Sequence, residues 1–206
     1  MYDLVAQRNW ISQIDRDLPP YFTPEEVHRI LDLCENKRDH LLINFLWQTG
    51  ARVSEVIQIH VSDIDFYAGN IKIITLKRKK PYHRYVPLNQ LKGELADYLL
   101  EKGLARNDLI FPITRQRVFG IVQKAVLDAG YDKGAPFASQ TPQSPPKQGR
   151  SHPHTFRHSF AVNCILQNIP LIMVQKWLGH SSIQSTMVYL KIRAEDTKSF
   201  FDEVKF

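Results

Sequence analysis

The segment from His152 to Leu190, HPHTFRHSFAVNCILQNIPLIMVQKWLGHSSIQSTMVYL, constrains the fold more than any other. Phe160, Ala161, Cys164, Ile165 and Leu166 recur at helical spacing and give a first helix one buried side. Pro153 suits the first helical position, where no backbone N–H is needed. Leu171 to Leu178 forms a second helix that stops at Gly179, the residue best suited to a left-handed cap. Ser181 or Ser182 can cap a third helix, with Tyr189 late in it. His154 and Arg157 are three apart and share a helix face. His180 falls on the loop after the second helix. Three helix ends therefore gather two imidazoles, a guanidinium and a phenol.

Upstream, Phe22-Thr23-Pro24-Glu25-Glu26 is a helix start, with Thr23 as the cap, Pro24 first and Glu26 closing a capping box. Val27, Ile30, Leu31 and Cys34 continue it. A second helix covers roughly His40 to Gln48 and breaks at Gly50, and a third runs from about Val53 to Ile59. Val61 to Phe66 and Ile71 to Leu76 are β-branched strands around an Ala68-Gly69-Asn70 turn. Tyr85 to Leu88 is a third short strand, reached through the basic run Lys77-Arg78-Lys79-Lys80-Pro81-Tyr82-His83-Arg84. Leu91 to Leu100 and Arg117 to Ala129 are further helices. Residues 131–151, rich in Pro, Ser, Gln and Gly, read as a mobile surface loop. The pattern is a mixed α/β (α+β) fold, mainly helical, with a small antiparallel sheet at one edge.

A formal charge of +6 and a pI near 9.3 suit a polyanionic partner. No long apolar run or secretory leader is visible, and Cys34 and Cys164 lack metal-ligand spacing. Both read as buried, reduced thiols of a cytoplasmic protein. His152, His154 and His158 invite a zinc reading, but no carboxylate or cysteine stands at ligand spacing, so no metal is expected. His158 is expected to bond inside the fold and His152 to lie in solvent.

The chain resembles the tyrosine recombinase (phage integrase) family. The resemblance rests on HxxR at His154 and Arg157, LGH at Leu178 to His180, Tyr189 nine residues later, and TGxRxxE at Thr49 to Glu55. It extends from about Pro20 to the end. It implies the DNA breaking–rejoining fold and site-specific recombination through a 3′-phosphotyrosine and a Holliday junction, with no cofactor. The implied partners are double-stranded DNA and three further protomers, a homo-tetramer on two duplexes. Family members commonly carry a separate DNA-binding domain ahead of the catalytic one. Residues 1–20 read as a tail or linker remnant and 21–206 as the catalytic domain, so the chain is a short member or a fragment, and an accessory DNA-binding protein is a possible partner. Residues 194–206 form an amphipathic tail suited to contact between protomers. A non-catalytic DNA-binding regulator and a DNA-relaxing, topoisomerase-like enzyme are the alternatives.

Each residue type fits that chemistry. Tyr189 is the candidate nucleophile, since a phenol of pKa about 10 makes a phosphoester that leaves well on rejoining. Arg52 and Arg157 are a candidate phosphate clamp, because guanidinium offers a planar fork matched to phosphate oxygens. Glu55 supports Arg52 from behind. By resemblance, His154 assists removal of the tyrosine proton and His180 hydrogen-bonds the phosphate, tasks suited to imidazole near neutral pH. A hairpin lysine is the general acid: Lys77 if the turn is two residues longer than the family pattern, Lys79 if the count runs back from Pro87. Arg78, Lys79, Lys80 and Arg84 are expected to contact DNA.

Overall fold

The computed structural model describes residues 18–75, 82–131 and 151–193, the last three by backbone alone. The proposed tail and loop, apart from their edges, therefore lie outside the described residues. So do Lys77, Arg78, Lys79, Lys80 and the segment 194–206.

Helix α1 (Pro24–Asp32) begins as its sequence dictates. Thr23 Oγ1 accepts from the Glu26 N–H at 3.3 Å, and Glu26 Oε2 accepts from the Thr23 N–H at 2.9 Å. Helix α2 (Lys37–Thr49) starts three residues before the expected His40, because the Asn36 side chain caps it. It ends at Gly50, whose φ of +59° is the left-handed cap. A Cβ there would meet Phe160 Cδ1 at 2.6 Å and Leu178 Cδ2 at 2.9 Å, so glycine is required twice over. Helix α3 (Val53–Val56) is a single turn, shorter than expected.

Residues Val61–Asp63, expected as strand, form a 3₁₀ turn, with the Asp63 carboxylate accepting from the His60 N–H. The strands are β1 (Ile64–Asp65), β2 (Asn70–Thr75) and β3 (Tyr82–Pro87), antiparallel in that order. Ile71 pairs with Val86, Ile73 with Arg84 and Thr75 with Tyr82. Ile71, Ile73, Thr75, Arg84 and Val86 are all buried, so this sheet carries an arginine on its inner face.

Helices α4 (Leu91–Lys102) and α5 (Arg115–Asp128) follow, then α6 (Pro153–Leu166), α7 (Leu171–Leu178) and the one-turn α8 (Gln184–Met187). Tyr189 stands just beyond, in a 3₁₀ segment Val188–Arg193 and not within an α-helix. The main core gathers Phe22, Phe45, Phe111 and Phe156 with the inner face of the sheet. A second core joins Phe160, Ile165, Val174, Leu178 and Tyr189. Helix α6 serves both: it packs on α2 and on the Tyr189 segment. The Phe22 N–H donates to Ser159 Oγ at 2.8 Å, which ties the residues before α1 to α6. Cys164 is buried, whereas Cys34, expected to be buried, is half-exposed; both thiols are free. No described helix is long and apolar enough to cross a membrane.

Candidate active site

Two helix ends meet on Arg157. Its Nη1 donates to the Gly50 carbonyl at 2.5 Å and its Nη2 to the Leu178 carbonyl at 2.7 Å. These carbonyls close the C-termini of α2 and α7, where the helix dipoles are negative, so a cation is favoured there. The side chain is 4% exposed. Burial, then the positive Arg52 and Arg84, lower its pKa to about 9, which leaves it charged at neutral pH.

Arg52 is the cap residue of α3. Its N–H donates to Glu55 Oε2 at 2.8 Å and its Nη1 to Glu55 Oε1 at 2.9 Å. Glu55 thus contacts both the backbone and the side chain of Arg52, but its contacts extend further. It also accepts from the Thr75 hydroxyl at 2.8 Å and from both terminal nitrogens of Arg84, at 3.0 and 2.7 Å. Burial alone would raise the Glu55 pKa; the Arg84 hydrogen bonds and charge, the Arg52 N–H and the Thr75 hydroxyl override it and bring it to about 2.

Arg84 departs from its expected role as a DNA contact. Its side chain is buried, held by Glu55, by Thr75 Oγ1 at 2.8 Å and by the Trp177 carbonyl, which accepts from Nε at 2.6 Å. It therefore ties β3 to the end of α7 and lies against Gly179. Val86 and Leu88 are buried on the same side of the strand as Arg84, as a period of two requires.

Gly179 ends α7 at a φ of +66°, and the His180 N–H closes the cap on the Gln175 carbonyl at 3.2 Å. His180 Nδ1 lies 2.9 Å from the Thr186 hydroxyl. When that hydroxyl donates, the imidazole proton sits on Nε2 as a donor. Burial, then Arg157 and Arg52, lower its pKa to about 4, so the ring is neutral. The N-cap of α8 is Ile183, with no side-chain cap, and not the expected Ser181 or Ser182; Ser182 Oγ accepts from the Gln184 N–H ahead of it.

Tyr189 is 2% exposed. Its hydroxyl lies 2.6 Å from His158 Nδ1. Burial raises the phenol to about 12, against the opposing charge of Arg157. His154, expected to assist removal of the tyrosine proton, is exposed and stacks on His152 at 5.4 Å. His152 is not a free surface residue: its Nδ1 accepts from the His154 N–H, and its ring meets Phe119 edge-on at 4.8 Å. The structure thus gathers Arg52, Glu55, Arg157, His180 and Tyr189. It adds Arg84, Thr75 and His158, for which the sequence pattern indicates other roles or none. No group of three His, Cys, Asp or Glu residues among those described is placed to hold a metal.

The chain as a whole is similar to known proteins. The profile of the phage integrase family matches residues 20–196, and the chain belongs to that family. It is 33% identical over 186 residues to a tyrosine recombinase of Pseudothermotoga lettingae, covering 87% of this chain and 59% of that one. It is 30% identical to tyrosine recombinase XerD of Oceanobacillus iheyensis, covering 91% and 62%. The chain spans about three fifths of the length of these curated relatives. Among solved structures, the XerA recombinase matches with a TM-score of 0.69 at 20% identity, over 92% of this chain and 67% of that one. The catalytic domain of bacteriophage HP1 integrase matches with 0.64 at 24% identity, over 90% and 95%. The XerH site-specific recombinase bound to its difH substrate, a pre-cleavage complex, matches with 0.63 at 25% identity, over 90% and 54%. The fold is that of tyrosine recombinase catalytic domains.

Proposed function

We propose that this chain cuts and rejoins double-stranded DNA as a site-specific recombinase, through a 3′-phosphotyrosine on Tyr189. The observation that carries the reading is the convergence of Tyr189, Arg157 and His180 on the ends of α6 and α7, with Arg52 and Glu55 at the end of α2. Arg52 and Arg157 bind the non-bridging oxygens of the scissile phosphate, where charge grows in the transition state. His180 adds a neutral donor. Lys77, or Lys79, protonates the leaving 5′ oxygen. By the family pattern, His154 assists removal of the tyrosine proton. The phosphotyrosine conserves the bond, so rejoining needs no nucleotide.

Membership of the family and a structural neighbour solved on DNA support the choice of partner. Four protomers act on two duplexes, with residues 194–206 joining neighbours and an accessory DNA-binding protein completing the clamp. The reaction runs in the cytoplasm. The test is covalent trapping. The protein and its Tyr189→Phe variant are mixed, without metal, with short nicked duplexes tiled from DNA flanking its own gene, and resolved on a denaturing gel. A protein–DNA adduct that disappears with Tyr189→Phe is expected. An adduct that persists moves the nucleophile elsewhere. Tight binding with no adduct, even with host extract added, refutes strand cleavage.

A further inference from the structure

We propose that His158, which the HxxR pattern leaves unspecified, is the catalytic base for Tyr189: it takes the phenolic proton as the strand is cut and returns it as the strand is rejoined. The inference rests on Tyr189 being the nucleophile.

The geometry is direct. His158 Nδ1 lies 2.6 Å from Tyr189 Oη, within the reach required of a general base. The contact follows from the fold. Arg157 and His158 are adjacent on α6, so their side chains diverge by about 100°. Arg157 turns to the ends of α2 and α7, and His158 to the Val188–Arg193 segment, which α6 packs against. His154 lies one turn away, its ring 6.4 Å from that of His158 and on the solvent side. It is placed to pass a proton outward from His158, not to face the phenol first.

The protonation state fits. The charged or titratable groups around His158 are His152 at the cap of α6, His154 and Arg157 on α6, His180 beyond α7, and Tyr189 itself. Burial and the α6 neighbours lower its pKa to about 4, so the ring is neutral with a lone pair for the phenol. Arg157 is one of the charges that depress it. A bound phosphodiester neutralises Arg157 and so strengthens His158 as a base when substrate arrives. The step balances: Oη–P forms, P–O5′ breaks, the Oη proton passes to His158 Nδ1, and the general acid supplies the proton that the 5′ oxygen takes.

The test uses the nicked duplexes in single-turnover adduct formation with two variants. His158→Phe keeps the ring and removes the nitrogens. His158→Asn keeps an acceptor near the Nδ1 position but cannot take a proton. Both are expected to bind the duplexes as the parent does and to form adduct roughly 10²–10⁴-fold more slowly at neutral pH. Their rates are expected to climb with pH, while the parent rate levels off once one group has ionised. Parent-like cleavage by His158→Asn would leave His158 a positioning residue only. Cleavage by His158→Phe as fast as the parent, or faster, would make the contact a mere restraint on the tyrosine. Either result overturns the proposal, and His158→Asn alone decides it if His158→Phe does not fold. An absent parent adduct, or one that survives Tyr189→Phe, would instead refute the nucleophile, a separate failure.

Discussion

Glu55→Gln isolates one proton-binding site in the middle of the molecule. The side chain keeps its shape and loses its charge, leaving Arg84 buried beside a neutral amide. In the folded chain the carboxyl titrates at about 2, against 4.5 for an unperturbed glutamate. At about 1.4 kcal/mol per tenfold change in proton affinity, that difference stabilises the fold by about 3 kcal/mol at neutral pH. The sign follows from a depressed folded pKa. The stabilisation is fully present above about 4.5 and is lost as pH falls through about 2. A buried pair that loses one partner gives a similar figure, about 3–5 kcal/mol. The assay is urea unfolding of both proteins from about pH 6 down to about pH 2.5. The gap between them should be about 3 kcal/mol at the upper end and shrink steadily below about pH 4.5, because a protonated glutamic acid resembles glutamine. Other carboxylates titrate in both proteins and cancel. A gap that stays constant over this range, or one under about 0.5 kcal/mol at neutral pH, would refute the assignment of Glu55 as the charged centre of the network.

Two further substitutions probe the frame around the site. Gly50→Ala forces a Cβ into Phe160 and Leu178 at a positive φ; a loss of roughly 2–4 kcal/mol is expected, seen as a melting point lower by roughly 5–15 °C. Thr186→Val removes the hydroxyl on His180 Nδ1 in a fully buried position; adduct formation should slow about tenfold and stability fall by about 1 kcal/mol, both read on the same preparation.

What is legible in the sequence is what local chemistry writes. Thr23 and Glu26 fix the start of α1 with atoms three residues apart, and Gly179 fixes the end of α7 by its own dihedral. Both stand where the residues place them. The strands are displaced because β-branched composition marks strands in general and not their ends: Val61–Asp63 goes to a 3₁₀ turn, and β3 begins at Tyr82, earlier than expected. The site residues of the two signature boxes are legible by resemblance. The roles of Arg84 and His158 are not. Each depends on a partner far along the chain, Trp177 for one and Tyr189 for the other. A basic run beside a turn reads as a solvated patch until the register of β2 and β3 shows which side faces in. Tyr189 reads as helical because nothing local announces that α8 stops at Met187.

The two carbonyls that hold Arg157 make its placement depend on a finished fold. Gly50 lies 107 residues from Arg157 in sequence, and Leu178 comes from the next helix. Contacts of such separation form late, after the entropy of closing a long loop has been overcome. The caps of α1 and α2 are made by residues three apart, whereas Arg157 is anchored only when α2 and α7 both reach α6. The anchoring of Arg157 is thereby confined to molecules in which α2, α6 and α7 have all docked.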